Sequence, residues 1–140
     1  MKGKQQKTIL IIEAHQALQK LYEAELQEEG FNTLLATSTA EAQQLLTGNH
    51  VDLLMSDLPG RRATGLNPLV SLAAERAIPL LINTGYPLNM INRSTIGSVA
   101  SIQQKSSDID KLKDKIKELL SNGERAIQPY PNQQEGVAAL

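Results

Sequence analysis

Val51-Asp52-Leu53-Leu54-Met55-Ser56-Asp57 is an aliphatic run that stops on an acid. Its short, continuous apolar character predicts a strand over Val51–Ser56, buried on both faces of a sheet. Working outward, the pattern recurs. Thr8–Ile12 is β-branched and aliphatic and ends at Glu13, and Ile78–Asn83 ends at Thr84. Ser101–Gln104, polar enough to suit a sheet edge, ends at Lys105, and Phe31–Ala36 supplies a further strand. As parallel strands of one sheet, these runs place Glu13, Asp57, Thr84 and Lys105 along its carboxyl edge. Open α/β sheets bind ligands there, where strand order reverses. Two acids, a hydroxyl and an amine converging on such an edge are equipment for handling a phosphoryl group.

Helical signals fill the gaps. Leu18, Leu21, Tyr22 and Leu26 fall on one face of a helix, with Gly30 where a left-handed stop is needed. Ser38-Thr39-Ala40-Glu41 is a capping-box sequence ahead of Ala42, Leu45 and Leu46, and Gly48 marks the end. Leu66, Leu69, Val70 and Ala73 form another stripe, with Pro68 in the first turn. Ile109, Leu112, Ile116 and Leu119 predict the last helix, opened by Ser106 or Ser107 and closed before Asn122-Gly123. Lys111, Lys113, Lys115 and Lys117, interleaved with acids, read as its solvated face. Pro87–Gly97 carries Asn89, Asn92, Ser94 and Thr95, poor helix formers, and predicts a short or mobile helix.

Alternating strands and helices imply right-handed crossovers and a sheet covered on both faces. The expected fold is α/β, a three-layer α/β/α sandwich on a five-stranded parallel sheet of order 2-1-3-4-5. Its switch point falls between the strands ending in Glu13 and Asp57. The domain is expected over residues 8–121, with a flexible N-terminus at 1–7 and a flexible tail at 122–140.

Composition narrows the function. The 140 residues suit one domain, and a net charge of −1 offers no field for nucleic acid or membrane. One Phe, three Tyr and no Trp leave little for base stacking, and the lack of cysteine excludes thiolate chemistry. No apolar run approaches the roughly 20 residues that span a bilayer. The basic start lacks an apolar segment of signal-peptide length, so a cytoplasmic location is expected. A Gly-rich phosphate loop, a nucleophile elbow and paired His or Cys metal spacing are all missing, which argues against an unrelated small enzyme.

From Thr8 to Leu120 the chain resembles the receiver domain of two-component response regulators, which have a flavodoxin-like fold. Asp57 stands at the family's phosphoacceptor position and Gly65 at the glycine of the following loop. Thr84, followed by Gly85, matches the switch hydroxyl, Lys105 the amine, and Ile78-Pro79 the lead into the fourth strand. The resemblance implies a single-domain signalling protein of phosphorelay systems, not an enzyme. Asp57 would be phosphorylated by a histidine kinase or phosphotransfer protein, and a downstream protein would read the result. Neither nucleic acid nor membrane is an expected partner, and the oligomeric state is open. It also implies Mg²⁺ held by Glu13, Asp57 and the backbone carbonyl of Pro59.

The departures bear on that ion. Glu13-Ala14 stands where the family has two acids, Ile102 replaces an aromatic, and Ser106 replaces a proline. Mg²⁺ is therefore expected to be weak or absent, since it relies on one or two carboxylates in near-octahedral geometry. Glu13, Asp57 and Lys105 sum to −2 + 1 = −1. Arg61 or Arg62, in the loop after Asp57, is a candidate for the missing positive charge as a bidentate phosphate clamp. The alternative function is a pseudo-receiver, a phosphorylation-independent protein-binding module.

Overall fold

In a computed structural model of the chain, residues 6–57, 66–86 and 100–125 are described. They form β1 (Thr8–Ile12), α1 (Gln16–Glu28), β2 (Asn32–Ala36), α2 (Thr39–Gly48), β3 (Leu53–Ser56), α3 (Leu66–Arg76), β4 (Leu80–Thr84), β5 (Ala100–Gln104) and α4 (Ile109–Arg125). The five strands make one sheet of order β2-β1-β3-β4-β5, every pair parallel, as expected. The polar run Ser101–Gln104 lies in an edge strand, where one side needs no partner.

Because successive strand side chains point to opposite faces, the central strands feed two cores. Leu10, Ile12, Leu54, Leu80 and Ile82 pack on one face against Leu46 of α2 and Leu69 of α3. Ile9, Ile11, Leu53 and Leu81 pack on the other against Leu26 of α1 and Ile116 of α4. The result is the three-layer sandwich expected from the pattern.

Helix ends follow local chemistry. Gly30 adopts φ 97°, and the N–H groups of Gly30 and Phe31 donate to the Gln27 and Leu26 carbonyls at 3.0 and 3.1 Å. That is a Schellman stop for α1. α3 ends on the same bond pair, Ala77 to Ala74 at 3.2 Å and Ile78 to Ala73 at 2.9 Å, but with alanine at φ 55°. Ser38 caps α2 by accepting from the Glu41 N–H at 3.1 Å. Glu41 reaches back one residue further than a capping box, accepting from the Thr37 N–H at 2.7 Å.

Several expectations need correction. Leu21 is 46% exposed, and Gln19 is buried instead, its amide donating to the Ala36 carbonyl at 3.0 Å. The inner stripe of α1 runs through residues 18, 22 and 26, which leaves position 21 to one side. Neither Ser106 nor Ser107 opens α4. Asp108 does, accepting from the Asp110 N–H at 3.1 Å, while Ser106 Oγ accepts from the Asp108 N–H at 3.0 Å. α4 also continues through Asn122-Gly123 to Arg125, so the backbone is helical past the expected domain end. Its lysines are not one solvated face. Lys113 is buried and pairs with Glu25 of α1 at 2.8 Å and with Glu29, the residue that caps that helix, at 3.2 Å. Residues two apart on a helix cannot share a face. The segments Pro87–Gly97 and 126–140 lie outside the described residues.

Candidate functional site

The site is built by three strand ends that continue their ladders by one residue. The Glu13 N–H donates to the Ala36 carbonyl at 2.9 Å, and the Asp57 N–H to the Ile12 carbonyl at 3.1 Å. The Lys105 N–H donates to the Thr84 carbonyl at 2.6 Å. These bonds bring each residue to the same rim of the parallel sheet, above the switch point between β1 and β3.

The side chains meet there. Lys105 Nζ lies 3.2 Å from Glu13 Oε1 and 3.3 Å from Asp57 Oδ2. Burial is graded: the side chain of Glu13 is 3% exposed, Lys105 20% and Asp57 36%. Glu13 thus forms the floor, Lys105 the wall, and Asp57 the member open to solvent. The second Glu13 oxygen is also engaged, accepting from the His15 N–H at 3.0 Å. Burial alone would depress the Lys105 amine, but Asp57 and Glu13 outweigh it and hold its pKa above the ordinary lysine range.

Thr84 ends β4 and is fully buried. Its hydroxyl accepts from the Tyr86 N–H at 3.0 Å, which folds the chain sharply after the strand. The structure therefore brings Glu13, Asp57 and Lys105 into direct contact and ties Thr84 to Lys105 through the backbone. Pro59, Arg61, Arg62 and Gly65 lie outside the described residues.

Two buried groups beneath the rim are missing from the sequence reading as a pair. Asn83, one residue before Thr84, donates its side-chain amide to the Tyr22 hydroxyl at 3.0 Å. The available signal is an amide in an otherwise aliphatic run and a phenol on an apolar stripe.

The donor set tests the ion implied by the resemblance. Mg²⁺ needs near-octahedral oxygen ligation. Among the described residues, no group of three or more His, Cys, Asp or Glu could hold a metal. Position 14 is alanine, both Glu13 oxygens are engaged, and the Lys105 ammonium sits against both carboxylates. The described residues do not fit a divalent cation. Lys105 is the counter-charge to both carboxylates.

Comparison with known proteins bears on the fold. No protein-family model and no curated protein matches the sequence. Solved structures do. A CheY-like response regulator receiver domain protein from Methanospirillum hungatei JF-1 aligns with TM-score 0.73 at 23% identity, covering 86% of this chain and 98% of that one. A response regulator from Thermotoga maritima gives 0.70 at 21%, covering 84% and 99%. The response regulator protein TrrA from Thermotoga maritima, in complex with Mg²⁺-BeF, gives 0.69 at 25%, covering 81% and 98%. The chain has the CheY-like, flavodoxin-like fold of response regulator receiver domains.

Proposed function

We propose that this chain is a receiver module of phosphorelay signalling in which Asp57 accepts a phosphoryl group. One observation carries the reading: Asp57 is the most exposed member of the rim cluster, and its carboxylate lies 3.3 Å from the Lys105 ammonium. An aspartate attacking a phosphorylated donor brings one anion to another, so charge neutralisation and positioning govern the step. With a phosphohistidine donor, an Asp57 oxygen forms the new P–O bond as the P–N bond breaks. The electron pair leaves with the imidazole nitrogen, which takes a proton from solvent. Lys105 offsets the charge on the phosphoryl oxygens. Glu13 holds Lys105 from below, so the ammonium does not depend on Asp57 alone. The donor is a histidine kinase or phosphotransfer protein, and output passes to a protein partner. Mg²⁺, where a receiver holds it, supplies further positive charge at the phosphoryl oxygens. The described donors here offer it no adequate seat.

Intact mass after incubation with acetyl phosphate tests the proposal. The expected product carries the mass of one phosphoryl group in the wild type and none in Asp57→Ala. A second reading, the phosphorylation-independent binding module, draws on the same salt bridges, because Asp57 is already neutralised by Lys105. An unmodified mass under all donor conditions would favour it.

A further inference from the structure

The second core holds a buried side-chain hydrogen bond. Among Ile9, Ile11, Leu26, Leu53 and Leu81 lies Tyr22, 5% exposed, whose hydroxyl accepts from the side-chain amide of Asn83, 4% exposed, at 3.0 Å. Packing does not ask for this pair. Replacing both members of a buried hydrogen bond by apolar groups of similar shape is nearly neutral for stability, whereas removing one leaves the other unsatisfied. A buried polar pair therefore points to something other than stability.

Its position says what. Asn83 precedes Thr84, whose carbonyl anchors the Lys105 N–H at 2.6 Å, and pairs in register with Gln103 on β5. Tyr22 sits on the inner face of α1, the helix that starts just after Glu13. Its phenol is pushed up by burial, against which the Lys105 ammonium and the Asn83 hydrogen bond act. The crevice beneath runs from Tyr22 and Asn83 to Ser106 and Asp108 at the start of α4, with a volume of ≈ 10 Å³. That is room for about one water, not for a ligand.

We propose that the Tyr22–Asn83 hydrogen bond is a positioning device that holds the end of β4, and through its ladder the end of β5, so that Lys105 meets Asp57. The proposal rests on the receiver reading, in that the rim's occupant is a phosphoryl-type anion. It assigns Tyr22 and Asn83 no contact with that anion.

The test uses the full chain and beryllofluoride, with and without Mg²⁺, followed by NMR at the Asn83 side-chain amide. Loading the rim is expected to shift that resonance, and Asp57→Asn alone, which releases one partner of Lys105, is expected to shift it without any ligand. Tyr22→Phe should lower the urea midpoint. The double variant Tyr22→Phe/Asn83→Leu should recover the midpoint yet bind beryllofluoride about three- to tenfold more weakly than wild type. Wild-type affinity in the refolded double variant would overturn the proposal, since a purely structural pair predicts it. So would an Asn83 resonance that stays fixed on loading. If beryllofluoride does not bind the wild type, the receiver reading fails. The Asp57→Asn shift then decides the positioning role by itself: a moved Asn83 resonance supports it and an unmoved one refutes it.

Discussion

At the residue scale, Lys105 carries the site. Its ammonium lies against two carboxylates, one of them nearly inaccessible to water. Removing one partner of a buried charge pair leaves the other uncompensated, which is far more costly than replacing the pair. Lys105→Met is therefore expected to destabilise the fold by about 1–3 kcal/mol, below the fully buried case because water reaches Asp57. Asp57→Asn leaves a neutral Lys105–Glu13 pair and is expected to stay within about 0.5 kcal/mol of wild type. Urea unfolding of the two variants checks the asymmetry. Equal midpoints would mean that Glu13 does not depend on Lys105.

Among the elements, the two Schellman stops offer a controlled comparison. α1 ends on Gly30 and α3 on Ala77, with the same pair of backbone bonds at each. Alanine in the left-handed region meets its own Cβ against the following carbonyl, at roughly 1–2 kcal/mol, while glycine's extra unfolded-state freedom offsets part of any gain. Ala77→Gly is expected to stabilise the chain by about 0.5–1 kcal/mol, read as a higher melting temperature. Gly30→Ala is expected to lose stability by a similar or larger amount, although open space surrounds the position. A fall in melting temperature with Ala77→Gly would show that α3 does not need the left-handed residue.

For the molecule as a whole, stability should depend on pH at both extremes. Glu41, held by the Thr37 N–H and hydroxyl, and Glu29, held by Lys117 and Lys113, have carboxyls below the ordinary 4.5. Depressed carboxyls contribute stability that is full above pH 4.5 and is lost as pH falls through the lowered folded values. Lys113, bonded first by Glu25, and Lys105 are raised above the ordinary 10.5. Raised amines contribute below pH 10.5, and that part is lost as pH rises through the folded values. The melting temperature is expected to show a plateau between these limits and to fall on either side. Glu41→Gln should flatten part of the acid limb. An unchanged acid limb in that variant would remove the Thr37 contribution.

How far the sequence reaches follows from which forces are local. Strand order, both core faces and the meeting of Glu13, Asp57 and Lys105 were legible, because alternating period and strand-end chemistry are written residue by residue. The exposed Leu21 was not, since the inner stripe of α1 runs through residues 18, 22 and 26 with Gln19, not Leu21, buried beside it. Asp108 as the cap of α4 was masked by two neighbouring serines of equal capping chemistry. The buried role of Lys113 depends on Glu25 and Glu29 at the end of another helix and just beyond it, which no local spacing reveals. The Tyr22–Asn83 pair is likewise a contact between α1 and β4, residues 61 apart.

Beryllofluoride titration of the wild type, Asp57→Asn and Lys105→Met most directly tests whether one rim pocket faces one anion. Saturable binding is expected in the wild type, none in Asp57→Asn, and at least about tenfold weaker binding in Lys105→Met. Equal affinity in all three proteins would contradict a shared Asp57–Lys105 site.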